Sequence, residues 1–206
     1  MITVALVDDQ TLIRQALAAL LQLAPDIKVV GEAADGPEAV ALVRQTRPDV
    51  VLMDVQLSTS GTSSDGITAT AEILAAHPAT RVIIVTTFGR PGYLRRAMEA
   101  GAVGFMVKDA PADRLLDAIR RVRQGLRVVD PALAADSLSL GTSPLTERET
   151  EILSVAAHGG TTAAVAAQVF LSEGTVRNHL SAAMVKLGAV NRAEAVRIAT
   201  DNGWLG

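Results

Sequence analysis

The chain contains no cysteine, which removes disulfides and thiolate metal sites from consideration and fits a reducing compartment. Aromatic residues make up only 2% of its 206 residues, while hydrophobic residues make up 49%, so a sizeable core is possible and must be aliphatic. No apolar run reaches the length of a membrane span. The opening Met1-Ile2-Thr3-Val4 lacks the basic region and cleavage pattern of a signal peptide. These absences predict a soluble, cytoplasmic protein without membrane insertion, long enough for one large or two small domains.

What is present divides into two textures. Up to residue 124, short apolar runs at Ile2–Val7, Ile27–Val30, Val50–Met53, Val82–Val85 and Val103–Val107 alternate with helical patterns. The helical patterns are Thr11–Leu23, Pro37–Arg47, Gly66–His77, Pro91–Gly101 and Pro111–Gln124, with Pro37, Pro91 and Pro111 at tolerated helix starts and Gly101 at a helix end. Five such units predict an α/β domain, a flavodoxin-like doubly wound five-stranded parallel sheet, over residues 1–124. Residues 125–143 read as a linker. Residues 144–206 carry helical patterns only and predict a four-helix, all-α domain.

Acidic residues punctuate the first domain at equivalent places. Asp8 and Asp9 follow the first apolar run, and Asp54 follows the third, Asp49-Val50-Val51-Leu52-Met53. In an open α/β sheet the strand ends line the edge where ligands bind. A lone aspartate there commonly caps the next helix, but three converging carboxylates suit a hard divalent cation and a phosphoryl group bridged to it. Thr86 ends the fourth run and Lys108 the fifth, adding a hydroxyl and an ammonium that balance charge and can donate to phosphoryl oxygens.

Val7-Asp8-Asp9-Gln10, Met53-Asp54-Val55, Thr86, Phe105 and Lys108 resemble the receiver domain of bacterial response regulators, over about residues 1–124. The resemblance implies that Asp54 is the phosphoacceptor. It also implies that magnesium (or manganese) is held by Asp9, Asp54 and the backbone carbonyl of Gln56, with Asp8 acting mainly through water. Lys108 would contact the phosphoryl group, Thr86 would move its hydroxyl towards it, and Phe105 would change rotamer in step. A carboxylate is a competent nucleophile towards phosphorus when a cation offsets the repulsion between anions. The chain departs from the family pattern after Asp54: position 58 is Ser, and the Ser58-Thr59-Ser60-Gly61-Thr62-Ser63-Ser64 loop precedes Asp65-Gly66. The extra length, about four residues, is an insertion of a kind surface loops tolerate, and it is expected to alter phosphoryl lifetime or kinase docking or to be neutral.

In the second domain, Thr146-Glu147-Arg148-Glu149 has the form of a capping box. Helical patterns over Thr161–Phe170 and Thr175–Leu187, separated by Leu171-Ser172-Glu173-Gly174, form a helix-turn-helix pattern, with a last helix over Arg192–Asn202. Within Thr175–Leu187, Val176, Leu180, Ala183 and Leu187 share one face and read as core, while Arg177, Asn178, Ser181 and Val185 share another. Arginine and asparagine pair bidentately with guanine and adenine edges, which gives a DNA reading a mechanism. Leu145 to Glu149, Leu171 to Leu180, Lys186-Leu187-Gly188 and Asn191 to Ala195 resemble the LuxR-type effector domain, and with the receiver they identify the chain as similar to the NarL/FixJ response regulators. That implies a helix in the major groove, with Arg177, Asn178 and Ser181 facing bases and Thr175, His179 and Lys186 as phosphate contacts. It also implies pairing of two protomers through the last helix. From Thr142 onward the domain carries five basic and six acidic residues, a net of −1. Backbone attraction normally dominates DNA affinity, so weak monomer binding and dependence on dimerisation are expected.

The function these readings imply is a transcriptional regulator, not an enzyme. A sensor histidine kinase would phosphorylate it on Asp54, promoting homodimerisation and binding to double-stranded promoter DNA at half-sites roughly 10 bp apart. The kinase would dock around Leu12, Ile13, Arg14 and Leu17 of the first helix. Two alternatives remain at this stage: a phosphorylation-independent regulator, and an aspartyl-nucleophile phosphohydrolase. The latter would want a second acid two residues after the nucleophile, where Gln56 stands.

Overall fold

The computed structural model describes residues 1–57, 66–87, 89, 91–131, 133–135 and 143–205. The Ser58–Ser64 loop lies outside the described residues. The chain divides into two compact units, the first built from Met1–Gly89 and Leu94–Ala134 and the second from Arg90–Tyr93 and Ala135–Gly206.

In the first unit the strands are β1 (Ile2–Val7), β2 (Ile27–Ala33), β3 (Val50–Met53), β4 (Arg81–Thr86), β5 (Gly104–Val107) and β6 (Val128–Val129). All pairings are parallel, in the order β2-β1-β3-β4-β5-β6. The helices are α1 (Thr11–Gln22), α2 (Gly36–Thr46), α3 (Gly66–Ala76), α4 (Pro91–Glu99) and α5 (Ala112–Arg123). Every residue of β3 is buried, as expected of a strand covered by helices on both faces. The core on the α1 and α5 side joins Val4, Leu6, Leu52, Ile83 and Val85 to Leu21, Leu115 and Ile119, all aliphatic. Asp35 caps α2 by accepting from the Glu38 amide, a contribution of about 1 kcal/mol. Arg120 of α5 holds Asp26, before β2, with two hydrogen bonds of 2.8 Å.

The sheet has six strands where the sequence pattern predicts five. The additional strand, β6, comes from residues expected to be linker: Val128 pairs with Gly104 and Val129 with Phe105. The remaining five follow the predicted alternation, with β2 running three residues beyond its predicted end.

The second unit holds α6 (Glu147–Ala157), α7 (Thr162–Gln168), α8 (Glu173–Leu187) and α9 (Arg192–Asp201). Each start is capped by a side chain: Thr146 in a complete capping box with Glu149, then Thr161, Ser172 and Asn191. Because Ser172 accepts from the Thr175 amide, α8 begins at Glu173, two residues earlier than predicted. The turn between α7 and α8 also begins two residues earlier than predicted: α7 ends at Gln168, and Phe170, whose φ of 54° is left-handed, lies within the turn. Gly188 ends α8 in the left-handed conformation that glycine accepts without strain. Ile152, Leu153, Val165, Val176, Ala183, Ala195 and Ala199 form the core of this unit.

Candidate functional site

The sheet order reverses direction between β1 and β3, and the acidic residues emerge there. Val7 is level with Met53, and Met53 with Ile84, so Asp8 and Asp54 leave their strands side by side. The Asp54 amide donates to the Val7 carbonyl at 2.9 Å, and the Asp8 amide to the Ala33 carbonyl at 3.1 Å. Asp8 and Asp54 are buried and Asp9 is half-buried. Each of the three offers a carboxylate oxygen, and these oxygens lie within 4.8 Å of one another. That donor set fits a hard, oxygen-preferring cation such as magnesium. Gln56, two residues beyond Asp54, is exposed, and its amide hydrogen bond partly offsets the rise that burial imposes on the Asp54 pKa.

Lys108 closes the site from β5. Its Nζ lies 2.6 Å from Asp8 Oδ2 and 2.9 Å from Asp54 Oδ2. The Lys108 amide donates to the Thr86 carbonyl at 2.8 Å, which ties the ends of β4 and β5 together. Burial pushes the Asp54 carboxyl above its ordinary range; the Lys108 ammonium opposes that shift, and the nearby Asp8 carboxylate adds to it. Burial works to lower the Lys108 pKa, yet hydrogen bonds to Asp8 and Asp54 outweigh it and raise the value. A carboxylate in this setting is partly neutralised and short of solvation, and therefore disposed to share its charge with an incoming cation or electrophile.

Thr86 ends β4 with 1% exposure, and Phe105 in β5 is fully buried. Ile84 pairs with Phe105 and Thr86 with Val107. Thr86 and Phe105 are thus diagonal neighbours on one face of the sheet.

Two residues that sequence reasoning did not assign to this site help to build it. Arg14 Nη1 donates to the Asp8 carbonyl and its Nε to Glu32 at 3.1 Å, fixing the turn that presents Asp8 and Asp9. Gly66 is the other: a Cβ there would sit 1.8 Å from the Asp54 carbonyl oxygen, and its own amide donates to the Val55 carbonyl at 2.9 Å. The Asp65-Gly66 dipeptide was a visible sign of that close approach. Among the expected docking residues of α1, Leu12 is 76% exposed, whereas Ile13, Arg14 and Leu17 are half-buried.

In the second unit, α8 presents the face that its sequence predicts. Val176, Leu180 and Ala183 are buried and Leu187 is half-buried, while Arg177, Asn178, Ser181 and Val185 are exposed together. Thr175 and His179 are half-buried. The Thr175 hydroxyl is 2.8 Å from that of Ser172. Lys186 is engaged within the unit, its Nζ 2.7 Å from the Glu149 carboxylate.

Comparison with known proteins agrees with both halves. Residues 4–120 match the family described as response regulator receiver domain, and residues 143–199 match the bacterial regulatory proteins of the luxR family. The chain is 41% identical over 205 residues to the transcriptional regulatory protein YvfU of Bacillus subtilis (strain 168), covering 100% of both chains. It is 38% identical over 204 residues to the transcriptional regulatory protein DesR of the same strain, covering 99% of each. Among solved structures it is similar to the response regulator ChrA of a heme-sensing two-component system, with 36% identity and a TM-score of 0.58, covering 97% of this chain and 96% of that one.

Proposed function

The chain belongs to the response regulators that join a receiver domain to a LuxR-type DNA-binding domain, and on that premise we propose that Asp54 is the phosphoacceptor through which a sensor histidine kinase controls promoter binding. The observation that carries this reading is the convergence of Asp8, Asp9, Asp54 and Lys108 at the point where the sheet order reverses. An Asp54 carboxylate oxygen attacks the phosphorus of a phosphohistidine on the kinase. The P–O bond forms as the P–N bond breaks, and the departing imidazole nitrogen keeps the electron pair and takes a proton from solvent. Water later hydrolyses the acyl phosphate, so the signal is temporary.

Asp9, Asp54 and the Gln56 carbonyl would hold magnesium, with Asp8 acting through water. When bound, the ion offsets the negative charge that gathers as two anions meet. Lys108, already held by Asp8 and Asp54, is placed to pair with a phosphoryl oxygen once one arrives. Thr86 supplies a hydroxyl at the same sheet edge, and Phe105 lies beside it to register the movement. The exposed Leu12 on α1 offers an apolar contact to the kinase.

In the second unit, Arg177, Asn178 and Ser181 face outward from α8 as the base-reading set, with Thr175, His179 and Lys186 as phosphate contacts. The Glu149 pairing means that Lys186 would leave, or share, an existing partner to reach a phosphate. With five bases against six acids from Thr142 onward, non-specific attraction to DNA is small. Two copies bound side by side supply the missing affinity, which makes dimerisation the step that phosphorylation must promote.

Incubation with acetyl phosphate and magnesium tests the reading. The wild-type chain is expected to gain one phosphoryl group by mass, to become dimeric, and to bind promoter fragments more tightly, and Asp54→Ala to do none of these. Equal phosphoryl gain by Asp54→Ala would exclude Asp54 as the acceptor.

A further inference from the structure

The chain does not leave the receiver at the end of α5. Gly125, with φ 87°, turns it back, and β6 returns along β5. Val128 donates its amide to the Val103 carbonyl at 2.9 Å, and Asp130 its amide to the Phe105 carbonyl at 3.4 Å. A few residues on, the helical Leu133 reaches Gly89: a Cβ on Gly89 would lie 2.4 Å from Leu133 Cδ2 and 3.1 Å from Val107 Cγ1. Gly89 follows Thr86 by three residues, Val107 is the register partner of Thr86, and Phe105 precedes Val107 on the same face of β5. The segment that leads to the DNA-binding unit is therefore held at two points, on β5, which carries Phe105, and at Gly89, three residues beyond Thr86.

We propose that Val128–Asp130 and Leu133 form a latch whose docking on β5 and against Gly89 tightens when Asp54 is phosphorylated, so that the linker carries the state of the acyl phosphate out of the receiver. The proposal rests on the reading of Asp54 as the phosphoacceptor. Thr86 and Phe105 are packed in the same buried layer. Drawing the Thr86 hydroxyl towards a phosphoryl group opens space beside the Phe105 ring, and an unfilled void in a packed core is unfavourable. The ring is then held inward, as it stands here, and the edge of β5 stays clear for β6 and Leu133. A ring turned outward would compete with Leu133 for the surface beside Val107.

The latch is also weak enough to be moved. Its strand is two residues long and half-buried, and its hydrogen bond from Asp130 is longer than the usual N–H···O range. Coupling of this kind is reciprocal, so a docked linker in turn favours the phosphorylated state.

Hydrogen exchange of the full chain, with and without acetyl phosphate and magnesium, tests this on wild type, Leu133→Ala and Gly89→Val. The two variants attack the contact from opposite sides, and neither residue belongs to the acidic site. In phosphorylated wild type, the amides of Val128 and Asp130 are expected to exchange about 5-fold more slowly, the lower end of typical coupling. Both variants are expected to accept the phosphoryl group and to lose most of that slowing. Unchanged or faster exchange in phosphorylated wild type would overturn the latch, as would full slowing in both variants. Failure of the wild type to gain a phosphoryl group would overturn the reading of Asp54, and the latch with it.

Discussion

Lys186, in the last turn of α8, lies 2.7 Å from the carboxylate of Glu149, in the first turn of α6. The same carboxylate accepts the Thr146 amide at 2.7 Å, and the Glu149 amide donates to the Thr146 hydroxyl at 3.2 Å. One nearly buried acid thus caps one helix and fastens the far end of another, the helix that carries Arg177 and Asn178.

Replacing Glu149 tests that fastening. Glu149→Ala removes the cap and the ion pair together and is expected to cost the second unit about 2 kcal/mol, read by urea denaturation. Burial opposes ionisation of Glu149, but Lys186 and Thr146 outweigh it and hold the carboxyl below its ordinary value of 4.5. A lowered folded pKa gives stability that is present above 4.5 and lost as pH falls through the lowered value. The acid limb of the wild-type stability curve below that pH should flatten in Glu149→Gln.

Asp54 has the opposite sign. Burial raises its pKa above 3.8, so the folded receiver binds a proton more readily than the unfolded chain does, and stability falls as pH rises through the folded value. In the absence of divalent metal at neutral pH, Asp54→Asn is expected to melt roughly 2–4 °C higher than wild type. The difference should vanish below pH 3.8, where both forms are uncharged at this position. A variant that melts lower at neutral pH would show that the Lys108 pairing outweighs the burial.

Gly66→Ala should be far more damaging than its size suggests. The new Cβ would meet the carbonyl oxygen of Asp54 at 1.8 Å, and that oxygen is backbone, so β3 or α3 must shift. Loss of roughly 3 kcal/mol in receiver stability is expected, with slower phosphorylation by acetyl phosphate in whatever remains folded.

For DNA, Arg177→Ala should weaken binding to a selected promoter by about 1–3 kcal/mol and relax the preference at one base position. Thr175→Ala should weaken all sequences about equally. Fluorescence anisotropy with a panel of single-base variants separates the two outcomes. Equal losses across the panel for Arg177→Ala would remove it from the base-reading set.

The parts of the molecule that showed in the sequence share a physical basis. Asp8, Asp54, Thr86 and Lys108 each terminate an apolar run, and because parallel strands end at one edge, position in sequence translates into position in space. Thr146 and Glu149 are three residues apart, so their capping box is local and visible. The parts that did not show depend on distant partners or very short elements. β6 is two valines behind a glycine, too short to display a period. Glu149 meets Lys186 across 37 positions, and Leu133 meets Gly89 across a similar span; nothing local marks either pair. The early start of α8 lies between these cases: Ser172 and Glu173 are an ordinary cap and first-turn acid, masked by Gly174 behind them.

The sixth strand bears on how the receiver can be separated from the rest of the chain. A fragment ending at Gln124 would keep the acidic site and five strands, but the outer edge of β5, with the carbonyls of Val103 and Phe105 now facing water, would be bare. Bare parallel edges recruit other chains. A fragment carried through Ala134 keeps that edge paired, so of the two it is the one to expect to stay monomeric at the concentrations that spectroscopy requires.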